Sequence, residues 1–392
     1  MEAFIDSEIS RLTQRLLDDQ EEDGAWRYCF ENSLMTDAYM IVLIRSLGIK
    51  KERLVQELAD RLLSQQEEKG FWKIYRDEVE GNLSATVEAY FALLWSGAVE
   101  EKDENMVKAR DYILSEGGLD KVHSMTKFML AAHGQYPWDR FFPVPVEVIL
   151  LPSYFPVSFT DFSAYGRVHL APLLLLKSER YIRKTSTTPD LSYLLKDQED
   201  FSFFREEERS FIKYVTSGVE AIAAFPANLN ALAKKTALNY MLARLEPDGS
   251  LYSYFSSSFY MILALLSQGY LRKDPLVVNA IKALISYQCK GDGYPHIQNS
   301  PSTIWDTALI SHALQSSGVD SRKTQILKAN QYLYRHQHTQ KGDWASEAPQ
   351  TAPGGWGFSQ SNTINPDVDD TTAALRALKL GAYTDQIGRA HV

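Results

Sequence analysis

Three carboxylates crowd into one short phrase late in the chain, Pro366-Asp367-Val368-Asp369-Asp370-Thr371-Thr372-Ala373. An apolar stretch with helical spacing follows, so the phrase sits where a helix begins. One reading is purely structural: Asp367 is the N-cap, while Asp369 and Asp370 complement the helix dipole in the first turn. The other is acid catalysis. Adjacent carboxylates at the mouth of an apolar cavity cannot all ionise, so at least one keeps its proton near neutral pH. The helix N-terminus stabilises the anion left after that proton is donated. Such a site suits protonation of a carbon–carbon double bond.

Metal chemistry fits the phrase less well. An Asp-Asp-x-x-Asp magnesium clamp is absent, because Thr371, Thr372 and Ala373 follow Asp369-Asp370. Neither Cys29 nor Cys289 sits in a stretch suited to a zinc site built from Asp, Cys and His. His133, His169, His296, His312 and the His336/His338 pair lack ligand spacing and read as solvated or hydrogen-bonded side chains. No metal and no cofactor is expected.

An acid that generates a carbocation needs aromatic faces around it, since a desolvated cation over a ring gains about 2 kcal/mol or more. Trp305, in Ser302-Thr-Ile-Trp305-Asp306, and Phe358, in Gly354-Gly355-Trp356-Gly357-Phe358, are the candidates. Either ring alone is accounted for by ordinary core packing. Acid and rings together form a coherent pair.

The elements that must position these residues recur along the chain. A helix-like stretch is followed by Gln, a few polar residues, Gly, one residue and Trp, then by a second helical stretch. Clear copies are Gln20 to Gly24-Ala-Trp26, Gln66 to Gly70-Phe-Trp72 and Gln337 to Gly342-Asp-Trp344. Weaker ones are Leu245 to Gly249-Ser-Leu251 and Gln288 to Gly293-Tyr294. Gly is expected to end the outer helix in a left-handed turn, Gln to bond neighbouring helix ends, and Trp to pack the connection. Apolar segments at 34–47, 83–95, 259–266, 304–314 and 368–378 follow the turns, several opened by cap-like residues such as Ser84, Thr86, Ser302 and Thr303. Other helical segments, such as 51–66, are amphipathic. Inner and outer helices are therefore distinguishable, and the fold class predicted is all-α, with concentric (α/α) rings and no sheet. Stretch 186–208 is polar and irregular, as a separator between groups of repeats would be.

Composition narrows the function classes. With 41 Lys+Arg against 50 Asp+Glu, a net charge of −9 and no basic run, the chain offers no electrostatic footprint for nucleic acid. Two cysteines are too few for a disulfide framework, and nothing in the first 20 residues reads as a signal peptide, which together predict a reducing cytosol. No apolar run reaches the roughly 20 residues needed to span a bilayer. Residues 144–159 are apolar and charge-poor, compatible with a peripheral membrane contact.

The Gln-to-Gly-x-Trp repeats and Asp367-Val368-Asp369-Asp370 resemble the two hallmarks of the class II triterpene cyclases, the squalene-hopene cyclase family. The resemblance extends to about Leu380. Within the family, 125–134, 306–311 and 353–359 are similar to the Bacillus-type sporulenol synthases, which cyclise tetraprenyl-β-curcumene. The resemblance implies that Asp369 is the general acid, held and tuned by Asp367 and Asp370. It further implies that Trp305, Phe358 and Tyr165 are cavity aromatics and that Glu88 occupies an acidic inner-helix position facing substrate. Ala38, Lys127 and Phe255 depart from hopene-forming members, which carry Glu, Arg and Gln there, so squalene as sole substrate is in doubt.

The family's architecture implies two toroid domains: an inserted α/α barrel at 30–299, and a second, incomplete barrel from 1–29 and 300–386. The family's activating His and further cavity aromatics would lie beyond this sequence. Residues 387–392 resemble the translation of a sequencing adapter, so genuine sequence is expected to end near Asp385 or Gln386. The expected protein is a cytoplasmic, peripherally membrane-bound cyclase of a hydrophobic polyprenyl substrate, squalene or tetraprenyl-β-curcumene. A homodimer is allowed, and the chain as it stands is expected to be inactive. Three alternatives remain. A class II diterpene cyclase acting on a prenyl diphosphate would show a basic patch. A toroid glycosidase would show paired carboxylates on a polar cleft. A non-catalytic α/α interaction module would consume no terpenoid.

Overall fold

The computed structural model describes residues 2–31, 33–140, 144–155, 158–196, 229–291, 293–346 and 348–380. Expectations for 381–392, and for 197–208 of the polar stretch, fall outside these residues. The rest is mostly helical and divides into two compact units: residues up to Phe30 together with those from Ser300 onward, and Glu31–Asn299.

The first unit holds α1 (Glu2–Asp18), then, past the other unit in sequence, α11 (Thr303–Ser316), α12 (Thr324–Arg335) and α13 (Val368–Leu380). Helix α11 packs on both α12 and α13. Its Ala308 faces Ala373, Ala374 and Ala377 in a cluster with Ile304, Leu333, Trp356 and Leu378. Small side chains let these helices approach closely, and the larger residues then fill the space between them.

The Glu31–Asn299 unit holds α2 (Met35–Leu47), α3 (Glu52–Ser64), α4 (Leu83–Ser96), α5 (Glu104–Ser115), α6 (Ser124–Ala132), α7 (Ala164–Ser178), α8 (Leu229–Leu242), α9 (Phe255–Ser267) and α10 (Pro275–Ser286). Burial separates two helix types. Helices α2, α4 and α9 are buried over almost their whole length, whereas α3 buries only Leu54, Val55, Leu58, Ala59, Arg61 and Leu62, one stripe at helical spacing. Each fully buried Leu or Ile contributes roughly 1.5–3 kcal/mol, so the apolar helices supply much of the cohesion.

One expectation needs correcting: a sheet is present. Strands β1 (Gln288–Gly291) and β2 (Tyr294–Ile297) form an antiparallel hairpin where the weak Gln288 repeat was expected. Its Ile297 amide donates to Asp37, whose carboxylate also binds Arg61 and His296, so buried charges on α2 and α3 fix the hairpin.

The apolar segment 144–159 is largely interior among its described residues, with Val144, Val146, Val148, Ile149, Leu151 and Phe159 buried and Tyr154 exposed. No helix among the described residues is long and apolar enough to cross a membrane.

Candidate active site

The turn that carries each repeat has one recurring hydrogen-bond plan. Gln20 donates its side-chain amide to the carbonyls of Gly24 (2.8 Å) and Gln325 (2.9 Å); Gln66 does the same to Gly70 and Asn105, both at 2.9 Å. The indole N–H of Trp26 donates to Leu16 O, and that of Trp72 to Leu62 O. The backbone N–H of each Trp donates to a Thr hydroxyl, Thr307 and Thr86 respectively. Gly24 and Gly70 have positive φ but lie in the turn beyond the helix end, not at the helix cap. Leu251 repeats the plan without a Trp, its N–H donating to Ser258.

The third repeat corrects the sequence reading. Gln337 donates to Gly354 O, and the indole that reaches back to the preceding helix is Trp356, bonded to Leu333 O at 2.7 Å. Trp344 does not take that role. An insertion between Gly342 and Gly354 hides the true spacing. Ser84 and Thr86 do not cap, since the cap of α4 is Asn82 and the Thr86 hydroxyl binds Asn82 O; Ser302 does stand at the N-cap of α11, but its hydroxyl binds the Asp306 carboxylate and not a helix amide.

This displaced turn positions the acidic motif. Trp356 N–H donates to the Thr371 hydroxyl at 3.0 Å, and Asp367 N–H donates to Trp356 O at 3.1 Å. A Cβ on Gly355 would lie 2.8 Å from both Pro366 Cβ and Thr371 Oγ1, so only glycine lets the two segments close. Asp367 Oδ1 accepts the Asp370 N–H at 2.8 Å, which makes Asp367 the N-cap of α13. Asp367 and Asp369 are exposed, while Asp370 is buried. Burial, then a side-chain hydrogen bond with Asp367 and the charges of Asp367 and Asp369, push the Asp370 carboxyl up to about 9. Asp370 is thus held toward its neutral form, in the same motif whose Asp367 caps the helix.

The aromatics lie in the same unit. Trp305 and Phe358 have ring centroids 6.5 Å apart at 30°, both half-buried, and Phe358 O accepts the Ile304 N–H at 3.2 Å. Phe30 meets Phe358 edge-on at 5.1 Å and 71°. Phe30, Thr371 and Gly355 were missed in the sequence reading. Thr371 had a signal: Thr86, Ser258 and Thr371 each stand four residues after the N-cap of their helix, Asn82, Tyr254 and Asp367, and Thr307 stands five after Ser302.

Glu88 and Tyr165 lie in the other unit. Glu88 is buried on α4 and accepts from Thr126 (2.7 Å) and Tyr39 (3.1 Å); burial raises its carboxyl to about 7 despite these bonds. Tyr165 is exposed and keeps different company, with Tyr254 at 4.8 Å and His169 at 4.4 Å. His133, His169, His296 and His338 are buried and hydrogen-bonded. Burial lowers the His338 imidazole pKa; Asp367 nearby opposes that shift. Among the described residues, no group of three or more His, Cys, Asp or Glu could hold a metal ion.

Comparison with known proteins matches residues 9–293 to the squalene-hopene cyclase N-terminal domain and residues 299–390 to the squalene-hopene cyclase C-terminal domain. The chain belongs to the squalene-hopene cyclase family. Among its relatives, sporulenol synthase of Bacillus subtilis is 40% identical over 93% of this chain. Squalene-hopene cyclases of Schizosaccharomyces japonicus and Zymomonas mobilis are 30% and 29% identical over 93% and 95% of it. The chain spans 58% of the length of each of these three. A type II terpene cyclase from Scytonema solved with geranylgeranyl dihydroxybenzoate covers 98% of this chain and is itself covered over 97%, at 14% identity. Its TM-score of 0.25 is too low to bear on the fold.

Proposed function

We propose that this chain carries the proton-donating part of a cyclase that starts cationic polycyclisation of a long polyprenyl hydrocarbon, and that Asp369 delivers the proton. The arrangement that carries this reading is Asp370 buried beside the capping Asp367 at the start of α13, its carboxyl pushed up by that burial, in the unit that also holds Trp305 and Phe358. A donor must reach an alkene. Asp370 is buried and Asp367 is committed to the cap, whereas Asp369 is the exposed carboxyl of the first turn. Asp370 and Asp367 tune it through charge and a shared proton, and the helix N-terminus stabilises the carboxylate it leaves. The alkene takes the proton onto one carbon, and its neighbour becomes the cation that Trp305 and Phe358 stabilise.

The substrate inferred is tetraprenyl-β-curcumene, squalene or both, supported by the 40% identity to a sporulenol synthase and the 29–30% identity to squalene-hopene cyclases. Tyr165 and Glu88 contact substrate in this reading. The architecture inferred is two α/α toroids, supported by the alternation of buried and amphipathic helices and the repeated Gln, Gly and Trp turn. Peripheral membrane association follows from the insolubility of such a substrate.

The test is Asp369→Asn in the family-length protein, assayed with squalene, tetraprenyl-β-curcumene and geranylgeranyl diphosphate. Asn keeps the shape but cannot donate to an alkene, so turnover should fall by about 10²–10⁴-fold or more with unchanged helicity. Near wild-type turnover of both hydrocarbons by the folded mutant would end the acid assignment. Conversion of the diphosphate alone would select the diterpene cyclase.

A further inference from the structure

Resting on that reading and deepening it, we propose that Phe30 is a further cation-stabilising ring of the cyclisation and helps set its product. Phe30 belongs to no repeat and no acidic motif, yet it closes a row of three rings. Phe358 is the middle member, with Phe30 edge-on at 5.1 Å and Trp305 tilted by 30° at 6.5 Å. In an edge-to-face pair, the positive edge of one ring meets the negative face of the other, and the same negative faces attract a cation.

The backbone holds Phe30 in register with this row. Trp26 N–H donates to Thr307 at 3.1 Å, and Tyr28 N–H donates to Asp306 Oδ2 at 3.1 Å. These partners are the two residues that follow Trp305, so the 26–30 segment is pinned beside the α11 end that bears that ring. The Ser302 hydroxyl donates to the same Asp306 oxygen at 2.8 Å and fixes its orientation. Exposure separates Phe30 from a packing residue: Trp26, four positions earlier, is 0% exposed, whereas Phe30 is 40% exposed. A ring so firmly placed and so incompletely buried presents π surface to whatever passes the Phe358 row.

Without that surface, a cation stabilised there loses a proton early. A neighbouring C–H bond breaks, its electron pair becomes a new C=C bond, the proton passes to water, and a less cyclised alkene leaves. Phe30→Leu removes the π face while keeping apolar bulk, and Phe30→Tyr restores a ring.

The experiment uses the family-length protein, wild type and both variants, with melting temperatures as the folding control. Binding is measured for a polyprenyl N,N-dimethylammonium, cationic at neutral pH, and for the neutral hydrocarbon of the same shape; products of squalene and tetraprenyl-β-curcumene are profiled alongside. The expected result is that Phe30→Leu weakens the ammonium about tenfold and the hydrocarbon less than about twofold. Products shift toward incompletely cyclised alkenes, and Phe30→Tyr behaves as wild type. Equal weakening of both ligands, or an unchanged product profile with unchanged ammonium binding, overturns the role of Phe30. A wild type that converts no polyprenyl at all overturns the functional reading, and this inference with it. A wild type that cyclises, an inactive Asp369→Asn and an indifferent Phe30→Leu overturn only the inference.

Discussion

A carboxyl that holds its proton up to about pH 9 ties stability to pH with a definite sign. In the unfolded chain an Asp releases its proton near pH 3.9, whereas folded Asp370 keeps it to about 9. Between those values the folded state binds more protons, so the contribution of Asp370 is fullest below about pH 4 and is lost as pH rises through about 9. Glu88, raised by burial to about 7, adds the same sign over a narrower window. Asp370→Asn removes the first contribution: its urea midpoint should fall less than wild type between about pH 5 and pH 9, a difference a parallel pair of curves would refute. At the same scale, Trp305→Ala or Phe358→Ala should divert product toward incompletely cyclised terpenes more than it weakens substrate binding. Product analysis decides this; profiles unchanged in both mutants would return the two rings to plain packing.

At the scale of elements, the turn plan assigns unequal roles to two tryptophans that look alike in sequence. Trp356 is buried, its indole bonded to Leu333 O and its backbone to the Thr371 hydroxyl in the first turn of α13. Trp344 is only half-buried, and among the described residues its indole nitrogen has no hydrogen-bond partner. Trp356→Phe removes the indole bond to the Leu333 carbonyl, which keeps the His336 N–H, and shrinks a fully buried ring, so it should cost about 1–3 kcal/mol, while Trp344→Phe should change stability by less than about 0.5 kcal/mol. Denaturant melts of the two variants check this, and equal losses would restore Trp344 as the third repeat. The strain would fall directly on the acid, because Trp356 O is also the acceptor for the Asp367 N–H.

For the whole molecule, both units expose large apolar side chains, Val79 at 93% and Tyr154 at 84% in the 31–299 unit among them. In the unit that bears the acid, Phe4 is 71% exposed, Val368 78% and Leu309 43%. Helices α2, α4 and α9 of the other unit are buried along almost their full length. Exposed apolar surface of this kind is expected to make the 392-residue chain poorly soluble. Limited proteolysis should leave a helical product within 31–299 after the acid-bearing unit is degraded. A soluble, monomeric 392-residue protein that cyclises squalene or tetraprenyl-β-curcumene would contradict this.

The residues determined much of this protein by themselves. Spacing of apolar positions placed α2, α4, α9, α11 and α13, and the Gln20 and Gln66 turns carry the bonds their side chains allow, because those choices depend on a few neighbouring residues. The motif at Asp367–Asp370 read as both cap and acid, and the Asp370 N–H bond to Asp367 bears out the cap. Partnership was not legible. Trp72 and Trp356 find their hydroxyls 14 and 15 residues onward, at Thr86 and Thr371, but Trp26 finds Thr307, 281 residues away. The family resemblance implied an insertion of that kind; no property of Trp26 or Thr307 does, since any helix opened by Thr offers the same acceptor. Tertiary structure likewise decided that Trp356 replaces Trp344, that Asp370 is the buried carboxyl among three, and that Phe30 meets Phe358. Each depends on which surfaces lie close enough to exclude water, a property of the packed chain and not of any short stretch of it.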